Sequence, residues 1–461
     1  MPILGTCMVP HPPLIAGSVG RGKEQKAKKT IEAFHKEAKR IALLKPQTII
    51  ISSPHAPLYA DYFHISPGKA GYGDFYQFGD ESTSISCAYD EEFVRNLENL
   101  CKAQGFPAGT LGTKTDILDH GTMVPLYFIN QYYTDYELVR IGLSSLSYFE
   151  HYKLGQLIAY TSTLLGRSVY YVASGDLSHK LLPEGPYGFA EEGPVYDERL
   201  MEAMSRGDFL SLFDFSEDFC EAAAECGHRS FCIMAGFLDR TRVVSEKLSY
   251  EGPFGVGYGI CAFSPVEEDD SRNYLEQAIQ NEREKTSTFR KNEDAYVSLA
   301  RQSLEYFVTH GSVMEIPEHI DAELSGQKAG VFVSLKKHGK LRGCIGTISP
   351  VHESTAAEII HNAVSSASLD HRFNPVTKEE LIDLVYSVDV LGPIEKIDGE
   401  DELDPKQYGV IVSCGMKRGL LLPNLEGVDT VEQQIDIARR KAGISPVEKT
   451  RLERFEVIRH T

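Results

Sequence analysis

The sequence predicts two domains in series, a larger α/β domain with a mostly parallel central sheet and a smaller domain after it. Three observations lead there. The chain has 461 residues, more than one ordinary hydrophobic core organises. Up to Phe263, short apolar or β-branched runs alternate with stretches of helical periodicity, the pattern of a parallel sheet covered on both faces. A dense run of charge then intervenes, and a new apolar pattern starts beyond it.

In order, Ile3 to Val9 is short and apolar enough for a buried strand. Ala27, Ile31, Phe34, Ala38 and Ile41 repeat every three or four residues and predict a helix with one apolar face. The lysines and arginines between Lys23 and Lys45 form its wet face. Thr48-Ile49-Ile50-Ile51, Leu138 to Leu143 and Val169 to Ala173 read as further buried strands, with helices at Glu91 to Ala103 and Tyr152 to Leu165. Gly255 to Phe263 closes this half as a last strand. Glu267-Glu268-Asp269-Asp270 opens the charged stretch, and a helical pattern runs from Tyr296 to Gly311. The predicted division is 1–266, a charged and partly helical linker 267–292, and 293–461.

Hydrophobic residues at 42% and charged residues at 25% are ordinary for a globular protein. A formal net charge of −19 argues against a nucleic-acid partner, which needs basic patches. No apolar run is long enough for a membrane span, and Met1-Pro2-Ile3-Leu4-Gly5 lacks the basic start of a secretory signal, so a cytoplasmic location is expected. Nine cysteines without a CxxC pair suit reduced thiols better than a disulfide framework. A homodimer is the expectation from general frequency alone.

Candidate chemistry gathers just past the predicted strands. His11 follows the first in Val9-Pro10-His11-Pro12-Pro13, and His55 the second in Ser52-Ser53-Pro54-His55-Ala56-Pro57. Asp176 and His179 follow Val169 to Ala173 in Ser174-Gly175-Asp176-Leu177-Ser178-His179, and His120 lies in Asp119-His120-Gly121. Ligands of open α/β sheets bind outside the carboxyl ends of the strands, so these groups are placed to converge. Proline beside His11 and His55 makes their loops stiff and non-helical, which suits a metal ligand. A lone histidine at a strand end is more often a hydrogen-bonding residue, and Asp176 reads equally as a loop or helix cap. Two neutral imidazoles and a carboxylate suit ferrous iron with open positions, but spacing does not choose the carboxylate.

Those four segments, with Val124-Pro125-Leu126, occur in this order in class III (LigB-type) extradiol ring-cleavage dioxygenases, which residues 1–265 resemble. The resemblance implies Fe(II) held by His11 and His55, with Glu225 of Ala224-Glu225-Cys226-Gly227-His228-Arg229 completing the triad. It makes His179 the acid–base residue and His120 a second pocket histidine, with Asp176 orienting a neighbour. The implied reaction opens the ring of a small aromatic diol or aminophenol with O2. Related Memo proteins carry a cysteine ligand at this point, which Cys226 matches; that alternative implies Cu or Zn and a redox or modification role. A non-enzymatic binding module is the third reading.

Some motifs are decoys. Gly17 to Lys23 fits the start of a phosphate-binding loop, but Glu24 stands where a hydroxyl should hold magnesium. Gly255, Gly257 and Gly259 open no helix, and the six-residue spacing of Cys220, Cys226 and Cys232 matches no zinc site. In the second half, Gly330 to Leu335, a turn at Lys337-His338-Gly339-Lys340 and Leu341-Arg342-Gly343-Cys344-Ile345-Gly346-Thr347 predict a hairpin. Its returning glycines mark a bulge or close backbone approach. That last segment, with Asp370 to Pro375 and Tyr408 to Val412, resembles the AMMECR family over about residues 293–461, which implies a compact α/β domain there. Arg342 and Cys344 are its candidate site residues. LigB/Memo-type and AMMECR domains belong together in the AmmeMemoRadiSam system, which implies a radical SAM partner.

Overall fold

In the computed structural model every residue is described except Met1, Ser18 and Glu426. Met1 of the chain start and Ser18 of the Gly17–Lys23 run thus lie outside the described residues. The chain forms two compact units, residues 1–279 and 280–461.

The first unit is built on β1 (Ile3–Val9), α1 (Lys28–Leu44), β2 (Thr48–Ser53), α2 (Glu91–Ala103), α3 (His120–Ile129), β3 (Glu137–Gly142), α4 (Tyr148–Leu165) and β4 (Val169–Ser174). It continues with α5 (Glu192–Arg206), α6 (Glu217–Ala223), α7 (His228–Phe237), β5 (Thr241–Glu251) and β6 (Tyr258–Glu268). The six strands form one sheet in the order β3-β2-β4-β1-β6-β5. The first four are parallel, and β6 and β5 run antiparallel at one edge.

Alternate residues of the buried strands serve two separate cores, as the two-residue period of a strand requires. Met8, Ile50, Val139 and Tyr171 face α4 and α7. Val9, Ile49, Ile51, Leu138 and Val172 face Phe34 and Ile41 of α1 and Val124 and Phe128 of α3. The sequence left β5 unread, and β6 runs past Phe263 through Glu267 and Glu268. Arg242 of β5 meets Glu267 of β6 at 2.9 Å, and charge at a sheet edge is compatible with pairing. The charged stretch therefore contributes the end of β6 and, further on, α8 (Tyr274–Asn292).

The strand order places the site. β1, β4 and β2 are immediate neighbours and parallel, so the loops leaving their carboxyl ends emerge side by side. Those loops carry His11, Asp176 with His179, and His55.

The second unit has two four-stranded sheets. One contains β7 (Val331–Lys337) and β8 (Lys340–Gly346), joined through His338 and Gly339, both at positive φ of 51° and 78°, a twist that matches a two-residue hairpin. The register shifts between Leu335 and Lys336. A Cβ on Gly343 would lie 2.1 Å from the Ser366 carbonyl oxygen. The hairpin thus has both the bulge and the close approach its glycines predict. Among the described residues no helix is long and apolar enough to cross a membrane.

Candidate metal centre

His11 is 2% exposed and held from both ends. Its backbone N–H donates to Asp176 Oδ1 at 2.8 Å, and its Nδ1 lies 3.0 Å from Ser174 Oγ. Ser174 Oγ donates to the Gly121 carbonyl at 2.5 Å, so it accepts from His11 Nδ1–H, and the imidazole presents a bare Nε2. That atom lies 3.0 Å from His55 Nε2 and 3.7 Å from Cys226 Sγ. The three donor atoms all lie within 4.8 Å of one another. His55 is on the solvent side of the group, with its N–H on Ser53 Oγ at 3.2 Å.

His120 begins α3, behind the Asp119 cap. Its ring centroid is 3.9 Å from that of His55 and 5.4 Å from that of His11. Burial, followed by the neighbouring imidazoles, holds His11 well below the usual near-neutral value and His120 at about 4; burial also lowers His55. All three rings are therefore neutral at pH 7, the protonation state a ligand needs. Two bare or half-shared nitrogens at 3.0 Å with a thiol beside them fit a cation as donors, and His11 already has the outer hydrogen bond that fixes such a ligand.

Glu225, the residue the sequence favours as third ligand, is not in this group. Its carboxylate accepts the His228 N–H at 2.6 Å at the start of α7 and is pushed up to about 7 by burial, with Arg229 nearby. Residues 224–227 form no strand but a loop between α6 and α7, with Ala224 at φ 53°. The third donor in the group is the sulfur of Cys226. Its Sγ accepts the Asp176 N–H at 3.2 Å, and its own N–H donates to the Asp176 carbonyl at 3.3 Å. Two glycines make this pairing fit: a Cβ on Gly175 would sit 2.1 Å from the Gly227 Cα, and backbone cannot give way as a side chain can.

His179 stands across from this pair. Its Nδ1 is 2.5 Å from the Ala224 carbonyl, which fixes a proton there and leaves Nε2 bare, 3.8 Å from Asp176 Oδ2. Asp176 is 6% exposed, and burial raises its carboxyl above the ordinary range, His179 partly offsetting this. Sequence reasoning missed Asp197 on α5, which no motif marks. It is 1% exposed and anchors the His179 loop by accepting the Ser178 N–H at 2.8 Å, with the Tyr250 hydroxyl also at 2.8 Å.

Burial pushes Asp197 up to about 7 despite those two hydrogen bonds. A folded value above the unfolded one of about 3.9 means stability is full at low pH and is lost as pH rises towards 7. The loss is roughly 1.4 kcal/mol per pH unit across that window. Asp197→Asn keeps an acceptor for Ser178 and is expected to lose less stability between pH 5 and pH 7 than the wild type, by denaturant titration followed by circular dichroism. Parallel losses in both proteins would show that Asp197 does not titrate there.

The decoys resolve simply. Cys220 and Cys232 are buried core residues. Glu24 folds back on the Gly22 N–H at 2.7 Å, in a 3-10 turn ahead of α1. In the second unit Arg342 is committed to Glu380 through two contacts of 3.0 Å. Cys344 Sγ lies 3.2 Å from Ser334 Oγ, and its backbone N–H donates to Asp370 at 2.9 Å.

The first unit, with its histidine-bearing loops on the carboxyl edge of a parallel sheet, belongs by its family match to the extradiol dioxygenase superfamily. The chain belongs to the family described as the catalytic LigB subunit of aromatic ring-opening dioxygenase, which matches residues 5–261, and residues 297–460 match AMMECR1. A protein of Clostridium acetobutylicum is 41% identical over 470 aligned residues, covering 100% of this chain and 99% of its own. A protein of Thermotoga maritima is 51% identical over 33% of this chain and 88% of its own. A crystal structure of a Pyrococcus horikoshii protein is 34% identical over 36% of this chain and 88% of its own, with a TM-score of 0.34. None of these relatives bears a name that states an activity.

Proposed function

We propose that the first unit is a metal-dependent oxidoreductase on the extradiol scaffold, with the ion held by His11, His55 and Cys226. The observation that carries this reading is the convergence of those three donors, with Glu225 turned away to His228. Two imidazoles and a thiolate are a softer set than two imidazoles and a carboxylate, and they favour copper or zinc over the facial arrangement that suits ferrous iron. When bound, the ion would orient a chelating substrate and stabilise negative charge developing on it.

The protein's own residues supply the rest. Ser174 keeps the His11 proton on Nδ1, and Asp176 Oδ1 fixes the His11 backbone. His179, its proton held on Nδ1 by Ala224, offers Nε2 to take a proton from a substrate hydroxyl and return it. His120 packs beside the His55 ring and meets Phe78 edge-to-face, with centroids 5.5 Å apart, so an aromatic side chain borders the histidine group. The second reading, ring opening of a catechol or aminophenol by Fe(II) and O2, is favoured by the family match over residues 5–261.

Metal analysis of anaerobically purified protein separates the two, beside a His11→Ala, His55→Ala variant. Copper or zinc that falls at least severalfold in the variant supports the thiolate centre. Near-stoichiometric iron with catechol-dependent oxygen uptake would replace it with the ring-cleavage reading. Folded protein that retains no metal would remove both and leave a binding module.

A further inference from the structure

Two sets of metal-type donors meet at one sulfur. The first is His11, His55 and Cys226; the second is Asp176, His179 and Cys226, and within each set the donor atoms lie within 4.8 Å of one another. The five residues do not merge into one group at that spacing. An ion with bonds of roughly 2.0–2.3 Å spans donors at most about 4.6 Å apart, so one ion does not collect all five.

We propose that the first unit binds a second metal ion at Asp176 and His179, with the Cys226 thiolate bridging the two ions. This rests on the reading of His11, His55 and Cys226 as the first position. The second set is prepared in the same way as the first. His179 has its Nδ1 occupied by the Ala224 carbonyl at 2.5 Å, so Nε2 faces the set with a free lone pair. Asp176 divides its carboxylate: Oδ1 takes the His11 N–H at 2.8 Å, and Oδ2 is turned to His179 Nε2 at 3.8 Å, beyond hydrogen-bonding distance. A gap of that size between a carboxylate oxygen and a bare imidazole nitrogen suits a shared ion. The Asp176 N–H at 3.2 Å steers Cys226 Sγ between the sets, and a thiolate has lone pairs enough for two ions.

Nitrogen, oxygen and sulfur in one set select a borderline or soft ion such as zinc or copper. Two ions sharing a sulfur would form a clamp for a substrate with two adjacent oxygen or nitrogen donors. The second ion takes the lone pair with which His179 would accept a substrate proton. One-ion protein therefore keeps proton transfer at His179, and two-ion protein exchanges it for the clamp.

The test is anaerobic titration of the reduced, metal-free full chain with Co(II), read by its absorption bands and by electron paramagnetic resonance. Two equivalents are expected to bind the wild type, the second one quenching the signal of the first through the shared sulfur. Asp176→Asn with His179→Ala should bind one equivalent with an uncoupled signal, and His11→Ala with His55→Ala should also bind one. Circular dichroism confirms that each variant is folded. A wild type that binds one equivalent, or two that stay magnetically isolated, overturns the bridged second position and leaves the first intact. The same holds if the Asp176/His179 variant still binds two. No binding by folded wild type overturns both readings.

Discussion

Cys226→Ala is expected to lower metal affinity by more than about 100-fold, while Glu225→Gln leaves it within roughly threefold. Loss of an outer hydrogen-bond partner already costs metal sites about 10- to 100-fold, so loss of a direct donor should cost more. Cys226 Sγ is 3.7 Å from His11 Nε2 and belongs to both donor sets. Glu225 spends its carboxylate on the His228 N–H at 2.6 Å, at the first turn of α7, where an amide oxygen accepts the same bond. Burial and the nearby acids Asp176 and Glu225 push the Cys226 thiol well above its usual range, so metal binding must displace a proton and should weaken as pH falls. Competition against a chromophoric chelator measures both variants. Metal retained by Cys226→Ala and lost by Glu225→Gln would restore the carboxylate triad of the ferrous enzymes.

How far the sequence reaches is plain from this pair. His11, His55, Asp176 and His179 are legible because each follows a run whose buried, β-branched or apolar character marks a central strand. That β1, β4 and β2 lie side by side is written in no single segment, yet any parallel arrangement delivers their loops to the same edge. The choice between Glu225 and Cys226 is different in kind. It depends on Ala224 at a positive φ, on α7 starting at His228, and on Gly175 packing against Gly227, which is distant in sequence. Folded as a loop between α6 and α7, the segment turns Cys226 to the histidines and Glu225 to His228. Asp197 was illegible for a related reason, since a carboxylate on a helix face looks solvated until the loop it anchors is known. β5 stayed hidden because an edge strand carries charges that resemble a solvated linker.

Asp119→Ala is expected to destabilise the first unit by about 3–5 kcal/mol, the cost of leaving a buried cation without its partner. Arg140, on β3, is 1% exposed; its Nε lies 3.6 Å from Asp119 Oδ2, and its Nη1 donates to the Ile117 carbonyl at 2.7 Å. The same carboxylate caps α3 through the Thr122 N–H at 3.0 Å and accepts from Ser53 Oγ at 2.5 Å and Thr122 Oγ1 at 2.9 Å. Loss of the cap alone costs about 1 kcal/mol. Burial works to raise the Asp119 carboxyl, but Arg140, Ser53 and Thr122 outweigh it and leave it lowered. A folded value below the unfolded one of about 3.9 gives stability that is present above that pH and lost as pH falls through the folded value. Asp119→Ala should therefore be least stable relative to wild type near neutrality and approach it in acid. The double variant Asp119→Ala, Arg140→Met tests the cause: removing both partners should recover most of the loss, because no buried charge is left unpaired. Tryptophan is absent from the chain, so denaturant titrations are followed by circular dichroism. A double variant no more stable than Asp119→Ala would assign the loss to the cap and hydroxyl bonds rather than to the buried guanidinium. Ser53 also accepts the His55 N–H, so the same substitution loosens the loop that carries His55. Metal affinity should then fall even in the double variant, which restores charge balance and leaves Ser53 without its carboxylate.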